Sequence, residues 1–341
     1  MRNHRIDLLR FIGLVTIVFA HANPPETLFQ LRNYDVPLMV LISGMSFGLA
    51  FKPQESYFQY VWKRIKRLVF PTWIFLTGYF SILFLVKPTS ENLDPSKVFD
   101  TYCLIGGIGF VWIIRVFLLV ALAAPFIYRI FQRRKSDTYY LIALLIAFAI
   151  YEAARPIMDP LLPGRFYREA SAIVYYIIPY SLVFGLGLVV PKLSARRNSF
   201  LGGFFLLVFG AIAIHLWQAQ DIFVGTQAFK YPPATYYLSY AVGISLFWWV
   251  ISDVLWKVIE KLSILRSGVL FVAQNSMWIY LWHIPLVKAS SETMPFFPKA
   301  VMLLVVASTI TAIQSWLVHQ ILISRTQNIQ LKKNLRSLLT G

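Results

Sequence analysis

The 341-residue sequence predicts an all-α, polytopic membrane protein with about ten transmembrane helices and both termini in the cytoplasm. Its composition is strongly apolar, since 58% of the residues are hydrophobic and only 14% are charged. The apolar residues are grouped in windows of about 20, the length that an α-helix needs to cross a bilayer core. A helix satisfies its own backbone hydrogen bonds, so repeated windows of this kind are typical of helical membrane proteins.

Ten apolar windows divide the chain. They cover residues 6–23, 34–51, 68–86, 109–131, 138–154, 172–190, 199–217, 234–255, 269–288 and 298–320. If the N-terminus is cytoplasmic, every connector on the inner side is basic, and these connectors hold most of the 32 Lys and Arg residues. The positive-inside rule therefore favours an even number of spans with both termini inside.

The formal charge of +17 has the same explanation. The basic residues lie in short connectors between apolar windows, so they indicate membrane topology and not a nucleic-acid-binding face. Cys103 is the single cysteine, and no His or carboxylate cluster has metal-ligand spacing, so neither a disulfide framework nor a metal site is expected. We expect a transmembrane domain over residues 1–325 and a basic cytoplasmic tail over residues 326–341.

The first window carries Arg10 and His21, eleven residues apart. Eleven residues make about three helical turns, so the two side chains share a face and lie roughly 16 Å apart along the axis. With Arg10 at the inner surface, His21 falls near the bilayer midplane. An ionisable group at that depth needs a partner or a role. Two interpretations stay open: a histidine that packs between helices, or one that acts on a long donor with a charged head.

Other residues surround this pair in the predicted arrangement. Asp7 lies one turn before Arg10 and is expected to pair with it. Ser43 and Gly44 lie in the second window at about the depth of His21, where small residues let a helix or a substrate approach closely.

A basic run, Lys63-Arg64-Ile65-Lys66-Arg67, precedes the third window. It is either an ordinary positive-inside anchor or a binding site. Arg64 and Arg67 are three residues apart on a helix and share a face, so their guanidinium groups can bind phosphate oxygens together. With Arg10 at the same membrane level, the inner surface carries a candidate polyphosphate site.

The outer half of the membrane holds a second set of ionisable residues. Arg115 lies in the fourth window, Glu152 near the outer end of the fifth, and His283 in the ninth. Arg115 and Glu152 form either a structural ion pair or part of an acceptor site. The motifs of zinc proteases, P-loop nucleotide-binding proteins, dinucleotide-binding folds and serine hydrolases are missing from the sequence.

With these residues identified, the chain resembles the acyltransferase-3 family of integral-membrane acyltransferases. The resemblance starts with Asp7-Leu-Leu-Arg10 leading to His21, which fits the family's Arg-x10-His pattern. The further matching stretches are Leu41-Ile-Ser43-Gly44, Arg64-x-x-Arg67 with Pro71, Val111-Trp112-Ile-Ile-Arg115, and Tyr280-Leu-Trp-His283-Ile-Pro285. Five motifs in order make the resemblance specific.

The resemblance implies a multi-pass protein of the bacterial inner membrane that transfers an acyl group, usually acetyl, from acyl-CoA to a glycan hydroxyl. No tightly bound cofactor is expected, because acetyl-CoA is a co-substrate. The acceptor is a surface or periplasmic glycan or a lipid-linked sugar. Membrane lipids are the other expected partners, and nucleic acid is not one. The identity of the acceptor, the choice between acetyl and succinyl, and the oligomeric state, including a homo-oligomer, stay open.

The hypothesis assigns a role to each candidate residue. Arg10, Arg64 and Arg67 hold the CoA phosphates, and a pantetheine arm of roughly 15–20 Å brings the thioester to His21. His21 acts as the general base or as an acyl carrier, with the base preferred. The remaining assignments are Glu152 as a second catalytic residue, Arg115, Ser43 and His283 as substrate-binding residues, and Asp7 as a structural partner. The alternative function is a transporter or flippase of lipid-linked sugars or small anions, which the lack of an internal repeat disfavours.

Overall fold

The computed structural model describes residues 3–51, 56–162, 164 and 167–340. These residues form helices and connecting loops, and no β-strand occurs among them, so the predicted all-α fold class is confirmed for this part of the chain. In chain order the α-helices are α1 (His4–Ala20), α2 (Glu26–Leu31), α3 (Asp35–Ala50), α4 (Tyr57–Val86), α5 (Pro95–Tyr102), α6 (Trp112–Gln132), α7 (Asp137–Met158), α8 (Tyr167–Val189), α9 (Ala195–Gln220), α10 (Thr235–Ile259), α11 (Ser263–Gln274), α12 (Ser276–Ala289), α13 (Phe296–Leu317) and α14 (Ile329–Leu339).

Within the described residues, seven helical segments are long and apolar enough to cross a membrane. They are Tyr57–Val86, Trp112–Gln132, Asp137–Leu161, Tyr167–Lys192, Ala195–Gln220, Thr235–Ile259 and Phe296–Ile323. The chain is therefore a multi-pass membrane protein by length and composition, while the predicted count of about ten spans is not confirmed. The cytoplasmic location of both termini stays a prediction.

The three remaining predicted spans fall on shorter helices. Helix α1 has 17 residues and α3 has 16, which correspond to about 26 Å and 24 Å, less than the roughly 30 Å of a bilayer core. The span predicted over residues 269–288 is divided, because Asn275 leaves helical geometry between α11 and α12. An apolar window reports composition, and it does not show where the backbone breaks.

Serine side chains cap the first turns of several long helices that start near basic residues. The hydroxyl groups of Ser56, Ser136 and Ser194 accept hydrogen bonds from backbone N–H groups in the first turns of α4, α7 and α9. Each bond satisfies a donor that has no partner inside its helix. These caps place the starts of three apolar helices beside Lys and Arg residues.

The described chain is organised in two compact units. The first comprises Met1–Gly13, Glu26–Pro53 and Leu119–Arg266, and the second comprises Leu14–Pro25, Gln54–Leu118 and Ser267–Gly341. The division falls inside α1, inside α6 and inside α11. It differs in kind from the boundary at residue 325 expected from the sequence, which stays a prediction.

In the first unit, α3 packs against α8 through two glycines. A Cβ atom added to Gly44 would overlap the carbonyl oxygen of Phe184 and lie 3.1 Å from the Cα atom of Gly187. Neither backbone atom can move without shifting a helix. Glycine at this point therefore allows the two helix axes to approach as closely as they do.

A buried ion cluster connects the start of α3 to the loop between α9 and α10. The Asp35 carboxylate accepts hydrogen bonds from Arg32 at 2.8 Å and from the Lys230 ammonium at 3.2 Å, and all three residues are buried. Burial lowers the pKa of Lys230 to about 8, while the Asp35 carboxylate limits that shift. The cluster fixes this loop on the first unit, because separating the buried Lys230 ammonium from the Asp35 carboxylate would remove their mutual compensation in a poorly solvated interior.

In the second unit, α12 contacts both α4 and α13. The Trp282 indole nitrogen donates a hydrogen bond to the Gln314 side-chain oxygen at 2.6 Å. The Phe75 ring of α4 meets the Trp282 ring edge-on, with centroids 5.6 Å apart. These contacts place α12, which carries His283, between the other two helices.

Replacement of Gly44 by Ala is expected to destabilise the protein by about 1–3 kcal/mol, because the new methyl group meets backbone atoms of α8. The control is Gly203→Ala in α9, where an added Cβ meets no atom within 4 Å. Alanine favours a helix by up to about 1 kcal/mol over glycine, so this control should be neutral or stabilising. Thermal unfolding in detergent micelles measures both variants, and equal midpoints would contradict the assigned contact.

Candidate active site

The second unit contains a hydrogen-bonded pair of histidines. The Nδ1 atom of His21 lies 3.1 Å from the Nε2 atom of His283, and the ring centroids are 5.0 Å apart. His283 lies in α12 and is fully buried, whereas His21 is half-buried. The structure thus joins two residues that the sequence singled out separately. Their separation of 262 positions left no local pattern from which the contact could be predicted.

His21 lies directly after α1, because the helix ends at Ala20 and not at residue 23. Its backbone N–H donates to the carbonyl oxygen of Val18 at 3.0 Å, which makes a final tight turn. Asn23 then adopts a left-handed conformation with φ 58°, and two prolines follow it. A residue before proline avoids helical geometry, so this sequence stops the helix. His21 is consequently held at a helix end, and its predicted depth at the midplane stays a prediction.

The hydrogen-bond pattern assigns a tautomer to each ring. His283 Nδ1 contacts the carbonyl oxygen of Tyr280, which can only accept, so this nitrogen carries the hydrogen atom. In a neutral ring, His283 Nε2 is then an acceptor, and His21 Nδ1 must donate to it. The lone pair of a neutral His21 ring is consequently on Nε2. This is the form of histidine that can remove a proton from a hydroxyl group.

An aromatic ring covers both histidines. The centroid of Phe110 lies 4.9 Å from that of His21 and 5.9 Å from that of His283. The Tyr280 hydroxyl donates to the backbone carbonyl of Phe110, which connects this loop to α12.

Arg115 supports the loop that carries Phe110. Its Nη1 atom donates to the carbonyl oxygens of Leu104 at 2.9 Å and Ile105 at 2.8 Å, and the residue is buried in α6. Leu104 has a positive φ of 61°, so the loop turns sharply at this point. From the sequence, Arg115 is predicted either to bind substrate or to form an ion pair with Glu152. The observed contacts show that Arg115 holds the backbone of the loop, and its substrate-binding role stays a prediction.

A basic pocket of about 480 Å³ lies between α4 and α14 in the same unit. Its lining residues are Tyr60, Lys63, Arg64, Lys66, Arg67, Gln330, Lys333, Asn334, Ser337 and Leu338, and none of these is acidic. The guanidinium of Arg64 lies over the Tyr60 ring, 4.9 Å from its centroid. Arg64 and Arg67, predicted to share a helix face, therefore line one pocket.

Two further predicted residues, Arg10 at the inner surface and Ser43 at the predicted depth of His21, lie in the first unit. Arg10 donates to Asp7 at 3.2 Å and to the Ser46 hydroxyl at 2.6 Å, so it connects α1 to α3. The Ser43 hydroxyl donates to the Met39 carbonyl of its own helix at 2.9 Å. The expected proximity of Asp7 and Arg10 is observed, whereas the cofactor role of Arg10 and the substrate role of Ser43 stay predictions.

Glu152 also lies in the first unit, in α7, and its carboxylate caps the start of α10. One carboxylate oxygen accepts from the backbone N–H and the hydroxyl of Thr235, both at 2.8 Å, and the other accepts from Arg155 at 3.0 Å. These are the contacts of a cap at the start of α10. Sequence reasoning missed this role because the cap comes from another helix. The catalytic role of Glu152 stays a prediction.

Comparison with known proteins identifies one family. A family model described as an acyltransferase domain matches residues 3–319. No curated protein and no solved structure gives a significant match. The matched range includes both histidines, Arg64, Arg67 and Arg115, while α14 lies beyond it.

The tautomer assignment can be measured directly. With ¹⁵N-labelled histidine, solid-state NMR is expected to show His21 protonated on Nδ1 and unprotonated on Nε2 near neutral pH. The chain has only five histidines, so single substitutions assign the signals. Removal of His283 should abolish this preference, because the acceptor for Nδ1–H is lost. A His21 signal protonated on Nε2 in the unsubstituted protein would contradict the assignment.

Proposed function

Because the chain belongs to the acyltransferase-3 family, we propose that it is an O-acyltransferase that moves an acetyl group from acyl-CoA to a hydroxyl group of a cell-surface or periplasmic glycan. Family membership and the apolar helices establish a multi-pass membrane acyltransferase. The observation that carries the finer proposal is the His21–His283 hydrogen bond, because it leaves the lone pair of His21 on Nε2.

The proposed step is a direct transfer. His21 Nε2 removes the proton of the acceptor hydroxyl, and the oxygen attacks the carbonyl carbon of the thioester. A carbon–oxygen bond forms, the carbon–sulfur bond breaks, and the CoA thiolate leaves and takes up the proton from His21. Throughout the step, His283 Nε2 accepts a hydrogen bond from His21 Nδ1–H. This hydrogen bond stabilises the positive charge that develops on His21. In a second version of the mechanism, His21 is the nucleophile. The acetyl group first moves from CoA to the imidazole and then from the acetyl-imidazole to the acceptor hydroxyl.

The basic pocket is the proposed site for the CoA phosphates. Arg64 and Arg67 supply planar guanidinium groups that match phosphate oxygens. The geometry of α4 supports a reach from this pocket to the histidines. Phe75 lies eight residues after Arg67, about 12 Å farther along the helix, and packs against Trp282, which precedes His283. This rise of about 12 Å is shorter than a pantetheine arm of roughly 15–20 Å, so such an arm can span it.

Labelled acetyl-CoA separates this function from the alternative transporter. Purified protein and native membranes are incubated with radiolabelled acetyl-CoA, and label is followed into glycan and lipid-linked fractions. Transfer of label supports the acyltransferase, whereas movement of substrate without any transfer favours a transporter or flippase. Mass spectrometry of surface glycans from a deletion strain then identifies the acceptor, since loss of an acetyl or a succinyl group names the donor as well.

His21→Ala is expected to lower acetyl transfer by at least about 100-fold, the usual contribution of a general base. CoA binding should persist, because Arg64 and Arg67 are unchanged. The matched control is His215→Ala, which alters an exposed histidine of α9. The rate of label transfer is the measurement. Unchanged transfer by a folded His21→Ala variant would remove the basis of the proposed mechanism.

His283→Ala is expected to lower kcat by about 10–100-fold, the effect of losing one hydrogen bond to a developing charge. The KM for acetyl-CoA should hardly change, because His283 acts through His21. His283→Gln offers an oxygen in place of Nε2 and should restore part of kcat. If Ala and Gln variants have equal kcat, His283 does not act as the acceptor for His21.

A further inference from the structure

We infer that helix α14 is a binding element of the basic pocket, in which Lys333, Asn334 and Ser337 contact a multiply phosphorylated anion opposite Arg64 and Arg67. From the sequence, residues 326–341 are predicted only to form a basic tail. The family match ends at residue 319. Naming the anion as the phosphate groups of CoA rests on the proposed function.

The pocket-lining residues of α14 form one stripe on the helix. Gln330, Lys333, Asn334 and Ser337 are spaced three and four residues apart and therefore share a face. Lys332 and Arg336, four residues apart, lie on a different face and do not line the pocket. The helix thus divides its positive charges between two sides, and only one of them meets α4.

Hydrogen bonds act at both ends of α14, and one of them connects it to another helix. At the start, the Asn328 side chain caps α14 itself by accepting from the Leu331 backbone N–H at 3.0 Å. At the end, the Gln314 side chain of α13 donates to the Leu339 carbonyl at 2.7 Å. The same Gln314 accepts from Trp282, beside His283. Helix α14 is therefore anchored to α13 at its end, and an anchored helix binds a ligand at a lower entropy cost than an unattached tail.

The chemistry of the wall fits phosphate groups. Five cationic side chains line the pocket, four from α4 and Lys333 from α14, and no lining residue is acidic. Asn334 and Ser337 add neutral hydrogen-bond donors, while Lys333 supplies a compact charge opposite the guanidinium groups. A ligand with a single carboxylate group would not need so many hydrogen-bond donors.

Two sources of phosphate share this chemistry: the phosphate groups of CoA and the headgroup of an anionic phospholipid. A volume of about 480 Å³ lies in the range of small-molecule sites, which favours a nucleotide. Anionic lipids also gather at basic residues near the inner membrane surface. The test below distinguishes the two sources.

The experiment compares Lys333→Gln with Lys332→Gln in the full-length protein. Both variants remove one positive charge from the same helix, and only the first alters the pocket. Isothermal titration calorimetry in neutral detergent measures the CoA affinity. For Lys333→Gln, CoA binding should be about 10-fold weaker than for the unsubstituted protein. For Lys332→Gln, it should stay within about 2-fold. Equal unfolding temperatures check that both variants fold. A parallel titration uses nanodiscs of phosphatidylcholine with and without phosphatidylglycerol.

Each outcome has one meaning. Equal CoA affinity in both variants overturns the inference, while CoA binding by the unsubstituted protein leaves the proposed function intact. If the unsubstituted protein binds no CoA, the proposed function fails. In that case, phosphatidylglycerol binding that is weakened only by Lys333→Gln supports a lipid-headgroup site on α14. If the unsubstituted protein binds neither CoA nor phosphatidylglycerol, the proposed site is overturned altogether.

Discussion

The hydrogen bond between His21 and His283 is the constraint on which the proposed chemistry of this protein depends. Two neutral imidazoles can share only one hydrogen atom between their facing nitrogens, so one ring must donate and the other must accept. The carbonyl oxygen of Tyr280 decides which ring does so, because it requires the hydrogen on His283 Nδ1. A backbone group of α12 therefore sets which ring nitrogen carries the hydrogen atom in a residue that follows α1.

The support of this pair extends well beyond the two rings. Phe110 covers both of them, and its loop is held by Tyr280 on one side and by Arg115 on the other. Arg115 is charged, yet its observed hydrogen bonds go to backbone carbonyls of the loop. Ionisable residues of the apolar segments thus have two kinds of role in the proposed mechanism. The histidines carry the proposed chemistry, and Arg115 holds the backbone of the loop that covers them.

Sequence patterns predicted the parts of the site that depend on local spacing. Arg64 and Arg67 lie three apart on one helix and line one pocket, and Asp7 contacts Arg10 three residues later. Contacts between distant segments could not be obtained in this way. The pairing of His21 with His283, the cap that Glu152 provides for Thr235, and the fourteenth helix beside α4 all depend on tertiary packing. The break at Asn275 was hidden for another reason, since hydropathy windows average over the backbone.

The contact of Gly44 with Gly187 has a consequence for how this sequence can change over evolutionary time. At most tightly packed contacts, a larger residue on one helix can be accommodated by a smaller one on its neighbour. Here both positions already have the smallest residue, so no such exchange exists. Variation at this crossing therefore requires the helix axes themselves to separate, and homologous chains that have lost either glycine should show wider spacing between these two helices.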